Sequence, residues 1–127
     1  MFLLIDPSLK DTIHLALFDE LVFKEANIPG ANREMLAAID DFFTLEKFDK
    51  KNLKGITVVV GVGNFTSTRL ATTIANTFGY VLRIPLLAIT SDKISECQKY
   101  IPDIIAQPIG QYISATYSAE ANIGKKK

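Results

Sequence analysis

A chain of 127 residues with 48% hydrophobic side chains has the length of one compact domain and the apolar material for its core. Its 14 basic and 14 acidic residues cancel, which argues against a protein that grips nucleic acid through its own phosphate contacts. The single cysteine, Cys97, excludes an internal disulfide and a cysteine metal cluster, and it fits a reducing, cytoplasmic setting.

The opening Met1-Phe2-Leu3-Leu4-Ile5 has no basic lead-in and Asp6 cuts it short, so Phe2–Ile5 reads as a buried strand rather than a leader. No apolar run approaches the ~20 residues of a membrane helix, and no membrane association is expected. A polar turn, Asp6 to Asp11 with Pro7, precedes Thr12–Phe18, which alternates. Ile13, Leu15 and Leu17 face one way; His14, Ala16 and Phe18 face the other, as in a half-buried strand. Asp19-Glu20 is expected to reverse the chain into a strand over Leu21–Glu25, completing an antiparallel meander, with Asn27–Gly30 as a loop around Pro29.

From Ala31 the period becomes helical, with Met35, Leu36, Ile39, Phe42 and Phe43 on one stripe that fades near Thr44. Glu46–Lys54 is a charged connector, and Ile56–Val60 is a strand covered on both faces. A second helix runs from Thr66 to about Leu82 with Leu70, Ile74 and Phe78 on its apolar side, and Ile84–Thr90 is another buried strand. The order β-β-β-α-β-α-β is that of a ribonuclease H-like, actin-like half-domain: α/β, with helices packed on a mixed five-stranded sheet. Residues 1–91 are expected to form this domain. Residues 92–127 are expected as an extension with a short helix over Asp92–Tyr100, a strand over Gln111–Ala119 and a basic frayed end, and no second domain.

The chemistry concentrates in Gly61-Val62-Gly63-Asn64-Phe65-Thr66-Ser67-Thr68-Arg69, where a strand ends in glycines and turns into a helix. Such a turn gathers backbone N–H groups and a positive helix end. The phosphate-cradling P-loop fails here, because Thr66 and Ser67 stand where its second glycine and lysine belong. The dinucleotide fingerprint fails at its third glycine, again Thr66. The plain reading is a tight turn with Thr66 near the N-cap.

Asp6 ends the first strand where actin-like ATPases keep an aspartate for the phosphate end of ATP, and Ser8 adds a hydroxyl. Pro7 has no N–H to offer a phosphate, so Asp6 and Ser8 read as a turn or a vestigial phosphate site. His14, the only histidine, is expected on the solvent side; it has no second histidine for a metal pair and no G-x-S-x-G serine to serve. No catalytic residue and no metal ligand is assigned, and Cys97 reads as structural. The helices carry more apolar and small surface than one sheet needs, which marks Met35, Ala38, Ile39, Phe42, Leu70, Thr73, Ile74 and Thr77 as a candidate partner interface.

Gly61, Gly63, Phe65, Thr66 and Arg69 match in register the G-P-G-S-F-T-G-L-R motif of the TsaB (YeaZ) family, which this chain resembles. Leu70–Ala75 through Ile84-Pro85-Leu86 is similar to that family's helix and following G-I-P-L strand, and Phe2–Ser8 to its I-D-T-S opening. The resemblance covers roughly Phe2 to Ser91, the family's N-terminal domain. Val62, Asn64, Ser67 and Thr68 replace the motif's Pro, Ser, Gly and Leu, and Pro7 replaces a threonine; Gly30-Ala31-Asn32 stands where G-H-S is common. Ala115–Asn122 faintly resembles the family's terminal Y-x-R-x-P strand.

The resemblance implies a non-catalytic subunit of the machinery that makes threonylcarbamoyladenosine in tRNA. It would bind its catalytic paralogue TsaD through the two helices, with TsaE as a further member of the complex, or pair with a second copy as a homodimer. ATP and magnesium would belong to the partner complex, and no direct nucleic-acid contact is implied. The alternative is a small nucleotide-binding or phosphotransfer enzyme using Asp6, Ser8 and the Gly61–Gly63 turn. Proteolysis, which early glycoprotease labels of the family suggest, lacks a metal pair or a nucleophile here.

Overall fold

The computed structural model describes residues 1–29, 34–61, 63 and 65–113. Its strands are β1 (Phe2–Asp6), β2 (Thr12–Phe18), β3 (Phe23–Pro29), β4 (Gly55–Val59) and β5 (Leu86–Ile89), and its α-helices α1 (Met35–Leu45), α2 (Phe65–Leu82) and α3 (Ile101–Ile105). The sheet order is β3-β2-β1-β4-β5. The first three strands form the expected antiparallel meander, and β4 and β5 continue it in parallel with β1. β1 and β4 are buried along their whole length because both faces of these central strands are covered.

The two-residue period of the strands divides the core. Leu3, Ile5, Ile13, Leu15, Leu17, Ile56 and Val58 lie beneath α1 and α2, where they meet Met35, Ile39, Phe42, Ala71 and Ile74. Phe2, Leu4, Ala16, Phe18, Val59 and Ile89 lie on the opposite face. That second layer is a 3-10 segment, Ser91–Tyr100, interrupted at Glu96 (φ −114°, ψ 16°) and followed directly by α3. Cys97, Ile101 and Ile104 are its apolar contacts with the sheet. The boundary expected after Ser91 therefore does not divide the packing: as far as Ile113, the extension belongs to the same core. Asn76 on α2 anchors that end by donating to the Ile113 carbonyl at 3.0 Å and accepting from its N–H at 2.8 Å, as a neighbouring strand would.

Other elements differ in extent from the expectation. β3 runs to Pro29, replacing most of the expected loop, because every residue of β2 finds a partner on it, from Thr12↔Pro29 to Phe18↔Phe23. A proline at the end of an edge strand is tolerated because no further strand needs its N–H. The reversal before β3 spans Asp19–Val22, with the Asp19 N–H donating to the Val22 carbonyl at 2.9 Å and its carboxylate accepting from the N–H groups of Leu21 and Val22 at 2.8 Å. α1 starts at Met35; residues 30–33, where the helical period was expected to begin, lie outside the described residues. Gln111–Ile113 make no strand, and the rest of the expected strand, 114–119, lies outside the described residues.

Candidate functional site

Parallel neighbours β1 and β4 end side by side, which brings the turn Asp6-Pro7-Ser8 against the glycine turn. Gly63 has φ +97°, and a Cβ there would stand 2.7 Å from Ser8 Cα and 2.9 Å from the Ser8 carbonyl oxygen. Only glycine allows both that backbone conformation and that approach. Gly61, at φ +90°, needs glycine for its conformation alone, since nothing lies within 4 Å of its missing Cβ. α2 begins at Phe65, so Thr66 stands in the first turn rather than at the cap. Phe65 and Thr66 are exposed there, and the Arg69 guanidinium lies 5.5 Å from the Phe65 ring centre.

Asp6 is only 2% exposed and both of its carboxylate oxygens are engaged. Oδ1 accepts from the Ser8 N–H at 3.0 Å and from the Ser8 hydroxyl at 2.5 Å. Oδ2 lies 3.0 Å from His14 Nδ1, and His14 Nε2 lies 2.7 Å from Glu25 Oε1. His14 is thus not on a solvent side: it is 8% exposed and bridges carboxylates on the strands flanking its own. The alternation of β2 places it with Ala16 and Phe18, and that face is the one the 3-10 segment covers. A sequence signal existed in Asp6 and Glu25, which share its face on β1 and β3.

Burial alone would push the Asp6 carboxyl up, but the hydrogen bonds from His14 and Ser8 outweigh it and hold the carboxyl below its ordinary value. The Asp6 hydrogen bond raises His14 above its ordinary value; burial opposes it, and Glu25 adds to the rise. Burial pushes the Cys97 thiol up to about 11, which leaves it unreactive. Among the described residues, no group of three or more His, Cys, Asp and Glu side chains is placed to hold a metal. No described helix is long and apolar enough to cross a membrane.

The candidate interface is only partly at the surface. Met35, Ala38, Ile39, Phe42 and Ile74 are buried within this chain, because the sheet takes up all of the α1 stripe except Leu36. Leu70 is half-buried, while Thr73 and Thr77 are exposed. Leu36, which the helical spacing places on the apolar stripe, faces outward instead, because it sits one position round α1 from buried Met35; Tyr80 and Val81 on α2, which that spacing does not single out, are exposed as well. On α2, Thr73, Asn76, Thr77 and Tyr80 join Tyr112 around an open groove of about 410 Å³.

A meander of three antiparallel strands extended by two parallel ones, with helices on both faces, defines a ribonuclease H-like half-domain of the actin-like kind. The same fold is found in YeaZ from Pseudomonas aeruginosa, with a TM-score of 0.65 and 21% identity over 78% of this chain and 49% of that one. It is also found in a Pseudomonas aeruginosa protein described as similar to the peptidase YeaZ, with a TM-score of 0.64 and 20% identity over 78% of this chain and 47% of that one. This chain spans about half the length of each, and at such identities the likeness is one of fold. No protein-family model and no curated protein matches the sequence.

Proposed function

We propose that this chain is a non-catalytic, TsaB-like subunit that binds a TsaD-type catalytic paralogue and supports threonylcarbamoyladenosine formation in tRNA, in the cytoplasm. The likeness of fold to YeaZ carries this reading. The site's own chemistry agrees with it. Ser8 turns both its N–H and its hydroxyl onto Asp6, so the donors that a phosphate at this turn would need are already occupied. The same observation counts against a nucleotide-binding or phosphotransfer enzyme built on Asp6 and Ser8.

The partner surface in this reading is the outward side of α2 with its neighbours on α1: Thr73, Thr77, Tyr80, half-buried Leu70 and Leu36. A homodimer would compete for the same helices. TsaE, ATP and magnesium would join through the complex rather than through this chain. Co-expression with the TsaD paralogue of the same organism is the test. The two proteins are expected to co-elute on size exclusion at micromolar concentration, and separate elution would overturn the proposal. Titration of the isolated chain with Mg-ATP is expected to give no heat.

A further inference from the structure

Both ring nitrogens of His14 face carboxylate oxygens, Asp6 Oδ2 at 3.0 Å and Glu25 Oε1 at 2.7 Å. A neutral imidazole has one N–H and one lone pair. In either neutral tautomer, one carboxylate oxygen would meet a nitrogen lone pair at hydrogen-bonding distance. The imidazolium, a donor at both nitrogens, satisfies both contacts. We infer that His14 is held as an imidazolium bridging β1, β2 and β3, and that it is a positioning residue for the turn on which the start of α2 rests.

The positioning follows atom by atom. His14 holds Asp6 Oδ2, Asp6 Oδ1 holds the N–H and hydroxyl of Ser8, and the Ser8 backbone fills the space beside Gly63. Gly63 lies two residues before the first residue of α2. A shift of the Asp6 carboxylate is therefore transmitted by close contacts rather than through a flexible side chain. The two arms of the bridge are unequal. The Asp6 side chain is 3% exposed and has no water to turn to, whereas the Glu25 side chain is 53% exposed. Once the proton is lost, the remaining N–H stays with Asp6 and Glu25 releases. Glu25 then turns into the open cavity of about 570 Å³ that it lines with Phe23, Ser91, Ile94, Ser95 and Gln98. Protonation thus latches edge strand β3 to the sheet and strengthens the hold on the Asp6–Ser8 turn.

Among the described residues, few groups face the ring. β1 contributes Asp6 and β3 contributes Glu25. The 3-10 segment packed over this face contributes Cys97, a thiol that stays neutral throughout the range in which the ring titrates. Lys24, on the other face of β3, is occupied with Glu46 at 3.4 Å.

The test is a pH titration by nitrogen-15 NMR, in which the ring signals belong to His14 without ambiguity because it is the only histidine. Both ring nitrogens are expected to carry protons at pH 6.5, with a midpoint above the ordinary 6.5 and with the Ser8 and Gly63 amide signals following that midpoint. Glu25→Gln should lower the midpoint. His14→Gln should remove the pH dependence of both amides. A single protonated ring nitrogen at pH 6.5 would overturn the inference, and so would Ser8 and Gly63 amides that ignore the ring's titration. If His14→Gln does not fold, the wild-type and Glu25→Gln titrations still decide. None of these readouts needs a partner, so failure to bind TsaD would count against the proposed function alone.

Discussion

Beneath α1 and α2 the strands present an unbroken apolar surface, from Leu3 and Ile5 through Leu15 and Leu17 to Ile56 and Val58. On the reverse of the same strands, Phe2, Leu4, Ala16 and Phe18 give way at one end to the ionisable bridge Asp6–His14–Glu25. The difference separates two kinds of stability. The first face is held by area removed from water, which is indifferent to pH. The second adds charge-assisted hydrogen bonds, whose strength depends on which groups hold protons. The end that carries the bridge is also the end where the Asp6–Ser8 turn meets the glycine turn before α2.

The contrast can be broken at that junction first. Gly63→Ala forces a Cβ into the Ser8 backbone at a positive φ, and strain plus overlap should cost about 2–6 kcal/mol by denaturant unfolding. Gly61→Ala has the strain without the overlap and should cost about 1–3 kcal/mol. Equal losses would show that the Ser8 contact is unimportant. On the apolar face, Ile39→Ala should cost about 2–5 kcal/mol and leave the pH profile of melting unchanged.

On the charged face, Asp6→Asn should cost about 1–3 kcal/mol near pH 6 and flatten that profile. The sign follows from the two shifts. His14, raised, contributes fully below 6.5, and its contribution is lost as pH rises through the raised value. Asp6, lowered, contributes above 3.8, and its contribution is lost as pH falls through the lowered value. The Asp6–His14 contact is therefore at full strength between 3.8 and 6.5, and the wild type should lose melting temperature on going from pH 6 to pH 9. The smallest effect belongs to neither face: Leu21→Ser, at the 94% exposed hairpin tip, should change stability by less than about 0.5 kcal/mol.

The same division marks what could be read from the sequence. Strands covered on both faces, such as Phe2–Asp6 and Gly55–Val59, announce themselves by continuous apolar runs, and they carried the element order and hence the fold. β3 departs from its local pattern because an edge strand is exposed and its limits are set by β2, which overrides the turn signals of Asn27 and Pro29. The alternation of β2 puts His14 on its observed side, but the cover over that side comes from Cys97 on the 3-10 segment and Ile101 and Ile104 on α3, and nothing local in those residues says which face of the sheet they close. Met35, Ile39 and Phe42 read as interface from sequence because an apolar helical stripe looks the same whether a sheet or another protein covers it; here the sheet does. Gly61 and Gly63 stand between the end of β4 and the start of α2. The contact of Gly63 with Ser8 depends on two strands ending together, which no local motif reports.

The partner surface proposed for α2 is tested most directly by calorimetric titration of three forms of the chain with the TsaD paralogue: wild type, Thr77→Arg on the exposed side of α2, and Leu21→Arg at the hairpin tip. The wild type and Leu21→Arg should bind alike, and Thr77→Arg should weaken binding by at least about tenfold, as expected when a charge is set inside a packed interface. Absence of binding by the wild type, or equal affinity for all three forms, would contradict the account.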